Sequence, residues 1–369
     1  MNRSSTGGRG IRMNAPRQWG GVLALALSLL LGSSFVGVAG IATTTVLVSD
    51  VNPAVHGQLV TFTATVSPTP DGGTVTFKDG TTDISGAVTV ASGQAQFSTS
   101  SLSTGAHSIT AEYSGTTNYD ASTSGPLTQT VVKADTSVSV SSSANPSVTG
   151  QSVTFTATVS AVSPGSGTPT GTVDFYAGGN MIAANCPLSG GTTTCSHAFA
   201  HTESPVAVTA YYSGDPNYNP IDNTLTPLTQ TVNKASTATS ITAGASSWLG
   251  EPYTVSGTVS VTSPGTGTPT GTVTVSDGAG ASCAANLVAG AWSCSLTSSG
   301  AAGTRTLTAV YEGDENFAGS TGTTTHTVSK VTTTLAVITS PNPSVIGEPV
   351  TITATATAQA GGGNPTGTV

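Results

Sequence analysis

The sequence contains few charged residues, because Lys, Arg, Asp and Glu together make up only 7% of its 369 residues. Disordered segments are usually rich in charge and poor in β-branched residues, whereas this chain is rich in Val and Thr. After residue 40 the chain carries five basic and seventeen acidic residues, a net charge of −12. A surface of that charge repels phosphate groups, so we expect no binding of nucleic acid or anionic lipid.

Long apolar segments are also rare, and the one that stands out lies near the N-terminus. Four arginines precede the apolar run Val22–Leu31, and small residues follow it, with cleavage sites possible after Ala39, Gly40 or Ala42. This order is typical of a secretory signal peptide. We therefore predict a signal peptide over residues 1–40 and a secreted or cell-surface protein. An uncleaved anchor is the alternative, because Gly20–Ala42 could just span a bilayer.

No segment after residue 40 shows the period of an amphipathic helix, and one alternating strand pattern recurs instead. Apolar and hydroxyl residues alternate over Val60–Val66, Val153–Val159, Tyr253–Val259 and Val350–Ala356. Alternation at period two places the apolar side chains on one face of a strand and the hydroxyls on the other. Sheets with one buried and one solvated face are typically antiparallel, so the chain is predicted to be all-β.

The strand patterns belong to a repeat of about a hundred residues. A Tyr-x-Gly sequence begins at Tyr113, Tyr212 and Tyr311, which indicates a module copied in tandem. Short strands separated by Gly, Pro, Asn and Asp turns predict a β-sandwich in each module. The predicted modules are residues 41–133, 134–234, 235–330 and 331–369. Short connections predict a semi-rigid rod, and the fourth copy, which stops just inside its second strand, indicates a fragment of a longer chain.

Large side chains in the predicted strands are the candidates for the first two hydrophobic cores. They are Phe62, Phe77, Phe97 and Tyr113 in the first module and Phe155, Phe175 and Tyr212 in the second. Because burial of one such side chain contributes about 1.5–3 kcal/mol, each small sandwich depends on a few of them.

Four cysteines occur in two local pairs, one in the second module and one in the third. Cys186 and Cys195 flank Gly190–Gly191, and Cys283 and Cys294 flank a similar turn. A two-residue Gly-Gly hairpin would place residue 186 directly opposite residue 195. In an exported protein such pairs predict two disulfides, each worth about 2–3 kcal/mol. Metal binding or redox chemistry is the alternative, and the absence of a Cys-x-x-Cys sequence argues against it.

Two histidines and two polar loops are the remaining candidates for sites. His197 and His201 would lie about 13 Å apart on one strand, too far to ligate one zinc ion, so we interpret them as exposed. The loops Gly214–Tyr218 and Gly313–Phe317 offer oxygens that calcium binds, but too few for its six to eight ligands, and Asp and Asn also form Asx-turns. We interpret them as structural turns, each preceded by a tyrosine whose hydroxyl bonds to the backbone. No catalytic residue, cofactor site or metal site is predicted.

Taken together, these sequences resemble the bacterial Ig-like domain repeats of group 3. The shared motifs are an opening Asn-Pro-Ser/Ala, the strand Val-Thr-Phe-Thr-Ala-Thr-Val, the sequence Pro-Thr-Gly-Thr-Val and the ending Tyr-x-Gly-Asp-x-Asn-Tyr/Phe, over about residues 41–369. The third module departs from this pattern, with Ser246–Trp248 in place of the opening motif. The resemblance implies tandem immunoglobulin-like sandwiches in a secreted or surface protein, with modules that act as spacers or adhesive units and carry no catalytic residue.

Two functions are compatible with this reading. The first is an exported stalk or adhesion protein without catalysis, which contacts cell-wall or extracellular carbohydrate or protein and meets a membrane only through its signal peptide or an anchor outside this sequence. The second is an accessory spacer or carbohydrate-binding region of a secreted enzyme whose catalytic domain lies beyond residue 369. A third hypothesis is Lys–Asn crosslinks, but Lys133, Lys234 and Lys330 lie at module edges, which favours solvated lysines.

Overall fold

The computed structural model describes residues 39–358 and 364–369. The predicted signal peptide, apart from its last two residues, lies outside the described residues. The described residues form mainly antiparallel strands, and the prediction of an all-β chain of tandem sandwiches is confirmed. A single 3-10 turn, His201–Glu203, interrupts the strands, and no helix among the described residues is long and apolar enough to cross a membrane.

Module 1 is a sandwich of two sheets. Its strands are β1 (Thr44–Ser49), β2 (Ala54–Val55), β3 (Val60–Ser67), β4 (Thr74–Asp79), β5 (Thr82–Asp83), β6 (Val88–Thr89), β7 (Gln94–Thr99), β8 (Gly105–Tyr113), β9 (Ser122–Thr123) and β10 (Leu127–Val132). One sheet has the order β1-β3-β7. The other has the order β2-β10-β8-β4-β5, with β6 paired to β4 and β9 to β8.

Module 2 repeats this arrangement. Its strands are β11 (Thr136–Ser142), β12 (Ser147–Val148), β13 (Ser152–Ala161), β14 (Thr172–Ala177), β15 (Asn180–Pro187), β16 (Thr192–Ala198), β17 (Val206–Tyr212), β18 (Ile221–Asp222), β19 (Leu228–Gln230) and β20 (Val232–Asn233). The sheet β11-β13-β16 faces the sheet β15-β14-β17-β18, to which β19 is added through β17, and β12 pairs with β20.

Module 3 has the same two-sheet arrangement. Its strands are β21 (Thr237–Thr239), β22 (Thr242–Ala243), β23 (Ser246–Trp248), β24 (Pro252–Val261), β25 (Thr272–Ser276), β26 (Ser282–Asn286), β27 (Ala291–Thr297), β28 (Gly303–Gly313) and β29 (Ala318–Ser329). Strand β24 is the centre of one sheet, with β21, β22 and β27 as partners, and the other sheet is β23-β29-β28-β25-β26. In module 4 an antiparallel pair is described, β30 (Thr333–Ser340) with β31 (Thr351–Ala358).

The alternating strand found in the sequence is the centre of one sheet in each of modules 1 to 3. In β3 the side chains of Val60, Phe62, Ala64 and Val66 are buried, and the hydroxyl residues between them are more exposed. Thr suits the outer face because its β-branched side chain favours extended backbone and its hydroxyl meets water. The predicted faces of this strand are confirmed.

Six of the seven predicted core aromatics are fully buried, and Phe97 is the exception. Phe97 lies on β7, at the edge of its sheet, where its ring is only half-buried although it stacks on Phe77 with 5.6 Å between the ring centroids. An edge strand has a neighbour on one side only, so its inward side chain is covered less completely. Phe97 therefore packs against the core of module 1, as predicted, but it is covered less completely than the other six aromatics.

The opening Asn-Pro motif joins the start of the module to its last strand in modules 1 and 2. In module 2 the side chain of Asn145 donates to the carbonyl of Thr229 (2.7 Å) and accepts from the backbone N–H of Thr231 (2.9 Å). The short strand after the motif then pairs in parallel with the last strand. Module 3 lacks the asparagine, yet Ser246–Trp248 forms the same parallel pair with β29, so its first turn is retained.

The first strand of module 3 is divided into β21 and β22 by a close approach of two backbones. The carbonyl oxygen of Ser240 lies against Gly257 on β24, and a Cβ atom at position 257 would come within 1.9 Å of it. Modules 1 and 2 have Ala64 and Ala157 at the corresponding position, and there the first strand is continuous.

Candidate functional site

The turn between the first two cysteines forms as predicted, but its strands separate immediately beyond it. Gly190 and Gly191 have φ of 60° and 77°, and the backbones of Ser189 and Thr192 exchange two hydrogen bonds of 2.9 and 3.2 Å. Strand β15 then pairs with β14 and strand β16 with β13, which belong to different sheets. The two strands that leave the turn therefore lie in opposite layers of the sandwich.

The predicted register, with Cys186 directly opposite Cys195 in a hairpin, is wrong, while the predicted disulfide between them stays a prediction. Cys186 is paired in register with Val173 in one sheet, and Cys195 with Phe155 in the other. The two thiols are free in this structure and half-buried. Burial raises the pKa of both, that of Cys195 to about 11, and the neighbouring Cys186 contributes to this second shift.

Module 3 contains a disulfide between the corresponding two sheets. Cys283 on β26 and Cys294 on β27 are joined, with 6.1 Å between their Cα atoms. Cys283 is opposite Val275 in its sheet, whereas Cys186 is opposite Val173, nearer the other end of its strand. The two pairs therefore do not match, because Cys186 and Cys195 are 9 residues apart in the sequence and Cys283 and Cys294 are 11 apart.

The two histidines do not share a strand. His197 lies on β16 with its ring 4.6 Å from that of Phe199, while His201 begins the 3-10 turn and its Nδ1 lies 2.6 Å from the carbonyl oxygen of Val232. Both are half-buried, so the interpretation of exposed strand residues is wrong. Among the residues that the structure describes, no group of three or more His, Cys, Asp or Glu side chains could hold a metal ion.

The Asp-x-Asn loop is a turn whose carboxylate is fully engaged. Oδ1 of Asp215 accepts from the backbone N–H groups of Asn217 (2.8 Å) and Tyr218 (2.9 Å). Oδ2 accepts from the N–H (2.9 Å) and the hydroxyl (2.6 Å) of Thr170, which belongs to the Pro-Thr-Gly motif. Partial burial raises the pKa of Asp215, but these hydrogen bonds outweigh it and hold the pKa below its ordinary value. The reading of this loop as a structural turn is confirmed.

Module 3 repeats these four hydrogen bonds, and module 1 exchanges the partners. In module 3 Asp314 accepts from Thr270, Asn316 and Phe317 at 2.8–2.9 Å. In module 1 the acid lies in the other loop, where Asp71 accepts from the hydroxyl of Thr116 and, at 2.6 Å, from the side-chain amide of Asn118. The sequences Thr-Thr-Asn and Gly-Asp-x-Asn therefore make the same connection with donor and acceptor reversed.

The three repeated tyrosines differ in what their hydroxyls contact. Tyr113 donates to the carbonyl of Gly72 at 2.9 Å, as predicted for a corner residue. The hydroxyls of Tyr212 and Tyr311 are buried without a hydrogen-bond partner among the described residues, so the prediction is wrong for these two. Burial, and then a nearby aspartate, raises the pKa of both, that of Tyr311 to about 12.

The segment between modules is part of the following core. Ala134 is completely buried with the core of module 2, where its N–H donates to the carbonyl of Asn217 (2.9 Å) and its carbonyl accepts from the N–H of Asn219 (2.9 Å). The side chain of Lys133 donates to the carbonyl of Asp215 at 2.6 Å. Lys133 is exposed, which agrees with the interpretation of a solvated lysine, and its amino group in addition holds this carbonyl of module 2.

The second junction is built in the same way. Ala235 is completely buried with the core of module 3, its N–H donates to the carbonyl of Asn316 (3.0 Å), and its carbonyl accepts from Ala318 (2.9 Å). Lys234 donates to the carbonyl of Asp314. Sequence reasoning located both linkers but did not show that their alanines are core residues.

A shallow hollow lined by the half-buried Tyr176 and the exposed Tyr211 lies on the outer face of module 2. It is lined by Tyr176, Gly179, Thr209, Ala210, Tyr211, Asp222 and Thr224. Tyr211 is 40% exposed, and Met181, the cross-strand neighbour of Tyr176, is 53% exposed. Hydrogen bonds from the hydroxyl and N–H of Thr224 lower the pKa of Asp222, which is therefore ionised at neutral pH.

The same face carries different residues in the other modules. In module 1 the matching positions are Lys78 and Glu112, whose charged groups lie 3.0 Å apart. In module 3 they are Ser276 and Val310. The tyrosine pair therefore distinguishes module 2 from modules 1 and 3.

One family model matches the sequence three times, over residues 47–132, 140–233 and 236–329, and its description is bacterial Ig-like domain (group 3). The chain belongs to this family. Each matched range lies within one of the sandwiches described above, so the resemblance drawn from the motifs is confirmed. Tandem Ig-like domains are typically non-catalytic, and bacterial Ig-like domains suggest an extracellular or surface protein. No curated protein matches the chain.

Solved structures with similar folds include three multi-domain proteins. Titin domains A168–A170 are 10% identical, with a TM-score of 0.34, and the match covers 77% of this chain and 99% of that one. The Escherichia coli adhesin FdeC is 16% identical, with a TM-score of 0.26 and coverage of 78% and 96%. Fibronectin(III)-like modules of Clostridium thermocellum CbhA are 19% identical, with a TM-score of 0.22 and coverage of 51% and 94%. At these scores none of them supports an argument about function.

Proposed function

We propose that this chain is an exported structural stalk without catalytic activity, whose modules space and present a binding surface outside the cell. The observation that carries this proposal is the burial of Ala134 and Ala235 in the cores of the modules that follow them. A linker that is also a core residue cannot extend without unfolding part of the next module. The modules therefore form a spacer of defined length, with boundaries at residues 41–133, 134–234 and 235–330.

The compartment fits this role. Residues 1–40 direct export and are then removed, which leaves the acidic chain in an oxidising environment where its cysteines pair. Bacterial surfaces and extracellular matrices are crowded with polymers, and a chain with few charged side chains of mostly one sign stays soluble there without collecting nucleic acid.

The experiment is a comparison of the full chain with a variant that lacks residues 134–234. The deletion joins Lys133 to Ala235 and so keeps the Lys-Ala linker at the new junction. Both chains should be recovered outside the cytoplasm without residues 1–40. Each chain is then attached by its C-terminus to a solid surface that also carries a grafted polymer layer. An antibody against an epitope at residue 42 should bind the full chain better than the shortened chain, because the longer stalk carries the epitope further out of the polymer. Retention in the cytoplasm, or equal exposure of the two epitopes, would contradict the proposal.

A second function, contact with carbohydrate, is favoured by the hollow on module 2. The flat faces of Tyr176 and Tyr211 can pack against the C–H groups of a sugar ring, and the ionised Asp222 can accept from its hydroxyls. No Lys or Arg occurs between residues 134 and 233, so an anionic ligand has no partner in this module. We propose a neutral polysaccharide as the ligand.

The test installs the residues of module 3 at this face. The variant Tyr176→Ser with Tyr211→Val carries the pair found at Ser276 and Val310, so it should fold normally. The measurement is affinity electrophoresis through gels that contain a soluble neutral polysaccharide: β-glucan, xylan or acetylated chitosan. Compared with a gel without polysaccharide, the parent chain should migrate more slowly and the variant should not. Equal mobility of the two proteins in every gel would rule out this site.

A further inference from the structure

A loop of module 2 contacts the end of module 1. The backbone N–H of Ser166 donates to the carbonyl of His56 (3.3 Å), and its hydroxyl donates to the carbonyl of Gly57 (2.6 Å). Ser166 lies in the loop Gly165–Gly167, which we call the docking loop of module 2. His56 and Gly57 form a tight turn between β2 and β3, which we call the end turn of module 1.

The same two hydrogen bonds occur between modules 2 and 3. The N–H of Thr266 donates to the carbonyl of Thr149 (3.2 Å), and its hydroxyl donates to the carbonyl of Gly150 (2.8 Å). The docking loop is here Gly265–Gly267, and the end turn is Thr149 with Gly150. A serine in one junction and a threonine in the other supply the same hydroxyl to the same backbone atom.

A second set of contacts joins other residues at each junction. The hydroxyl of Thr104 in module 1 donates to the carbonyl of Pro216 (3.1 Å) and lies 3.3 Å from Oδ1 of Asn217. In the next junction the N–H of Thr202 donates to Oδ1 of Asn316 at 3.4 Å. With the buried linker, these contacts join neighbouring modules at three separate places, which is the minimum that fixes both bending and twisting.

The end turns leave no room for a side chain at the junction. Gly57 and Gly150 have φ of 77° and 72°, and a Cβ atom at either position would come within 2.4 Å of a backbone oxygen of the docking loop. Gly250, at the corresponding turn of module 3, has φ of 81° and nothing within 4 Å of a Cβ position. In all three modules glycine therefore provides the positive φ of the turn. In modules 1 and 2 its missing side chain also leaves space for the docking loop.

The docking loops have a matching restriction. A Cβ atom at Gly165 would lie 2.6 Å from Cβ of Ala134, and one at Gly265 would lie 2.6 Å from Cβ of Ala235. Module 1 has a shorter segment in place of this loop, and the residue that corresponds to the linker alanine is Ile41, which is 51% exposed. A small linker residue therefore accompanies the docking loop in modules 2 and 3.

We propose that the docking loop and the end turn are a repeated interface between modules, and that it fixes the angle between each module and the next. The interface occurs between modules 1 and 2 and between modules 2 and 3, and in both cases the end turn contacts the module that follows it in this chain. This inference deepens the proposed stalk function, on which it rests, by assigning the residues that set its shape. It adds that the stalk has one preferred geometry and not only a defined maximum length.

The experiment measures the distance between modules 1 and 2 in the full chain. Spin labels are attached to p-acetylphenylalanine at Gln96 and Asn180, which are both exposed, so the native cysteines are left untouched. Double electron–electron resonance should give one narrow distance distribution. In Gly57→Ala, where the new Cβ meets the docking loop, the distribution should at least double in width or shift by several ångströms.

The matched control is Gly80→Ala in the same module. Gly80 has φ of 59° and nothing within 4 Å of a Cβ position, so its substitution strains a turn without touching the junction. The control should leave the distance distribution of the parent unchanged. Ser166→Ala, which removes only the hydroxyl, should broaden the distribution without any change in backbone strain.

A broad distribution in the parent chain, or a Gly57→Ala distribution that equals the control, would overturn the interface. Export and epitope exposure of the same variants separate this result from the stalk function. Suppose that a variant is exported and presents its epitope like the parent, but no longer shows one fixed distance between the spin labels. That result supports both the interface and the stalk. If the parent chain gives one fixed distance but does not present its epitope, the stalk function is contradicted and the interface between modules is still supported.

Discussion

Asp79 and His107 form an ion pair on neighbouring strands of module 1, with 2.6 Å between Oδ2 of the aspartate and Nδ1 of the histidine. Asp277 and Arg305 occupy the same positions in module 3, where both side chains are buried. In module 2 the positions are held by Ala177 and Val206, which are also buried. The same two positions thus hold a titratable pair in module 1, an apolar pair in module 2 and a permanent ion pair in module 3.

Module 1 should lose stability as the pH rises above neutrality. Burial lowers the pKa of His107, but hydrogen bonds to the carbonyl of Ser103 and to Asp79, with the charge of that carboxylate, outweigh it and raise the pKa. A raised folded-state pKa gives a stabilising contribution that is complete below the unfolded pKa of about 6.5 and is lost as the pH rises through the folded value. Hydrogen exchange in β4 and β8, corrected for intrinsic rates, should show a loss of about 1 kcal/mol or less between pH 5.5 and pH 9.

The control for this prediction is the pair that module 2 already uses. Asp79→Ala with His107→Val should remove most of the pH dependence of exchange in β4 and β8. If the double variant and the parent change equally with pH, His107 is not the group responsible.

Removal of Arg305 should destabilise module 3 strongly. Burial raises the pKa of Asp277, but hydrogen bonds from Ala279, Ala281 and Arg305 hold it below its ordinary value, so the carboxylate stays charged. Arg305→Val leaves that charge buried without its partner, a change that costs about 3–5 kcal/mol. Trp248 and Trp292 are the tryptophans after residue 40, and both lie in module 3, so their fluorescence in urea reports this module.

Replacement of both partners should cost less than replacement of one. Asp277→Ala with Arg305→Val installs the apolar pair of module 2 and leaves no unpaired charge. A double variant that is less stable than Arg305→Val alone would show that the ion pair is not the main source of the loss.

The Asp-Thr connection should make module 3 sensitive to acid. Burial raises the pKa of Asp314, but hydrogen bonds from Thr270, Asn316 and Phe317 outweigh it and lower the pKa. A lowered folded-state pKa contributes stability above the unfolded value of about 3.9, and that contribution disappears as the pH falls through the folded value. Asp314→Ala should cost about 1–3 kcal/mol at pH 6, and Thr270→Val about 1 kcal/mol. Unfolding midpoints from tryptophan fluorescence that do not differ from the parent would contradict this account.

Both cysteine pairs should be oxidised in exported protein. Strands β15 and β16, which carry Cys186 and Cys195, contact each other across the two sheets, and cysteine pairs of exported proteins are usually oxidised. Intact-mass measurement without reductant should therefore show the loss of four hydrogens from the free-thiol mass. A loss of two would mean that only the bridge of module 3 forms. In that case Cys186→Ser should also leave the stability of module 2 unchanged, instead of lowering it by about 2–3 kcal/mol.

Features set by local sequence were predictable, and features set by packing between distant segments were not. The alternation in Val60–Val66 depends on side-chain period alone, and the structure reproduces it. The pairing of Cys186 depended on whether a hairpin continues past its turn, which is decided by the separation of the two sheets. The half-burial of Phe97 likewise depends on its position at a sheet edge, which no local pattern records.

The junctions between modules show the same limit. The sequence contains the signal, because Gly-Ser/Thr-Gly loops occur in modules 2 and 3 together with Ala134 and Ala235. These residues can be recognised as an interface only when it is known that Ser166 contacts Gly57, which lies more than a hundred positions earlier in the chain. Contacts of that kind arise from the way one folded module is placed on the next.

The most direct test of the fixed arrangement is small-angle X-ray scattering from the chain that begins at residue 41. We predict the scattering of a single elongated rod, with a maximum dimension that falls by the length of one module when residues 134–234 are deleted. Insertion of a Gly-Ser-Gly-Ser segment between Val132 and Lys133 should convert the profile to that of flexibly linked bodies. A parent chain that already scatters like flexibly linked bodies, unchanged by the insertion, would contradict the account.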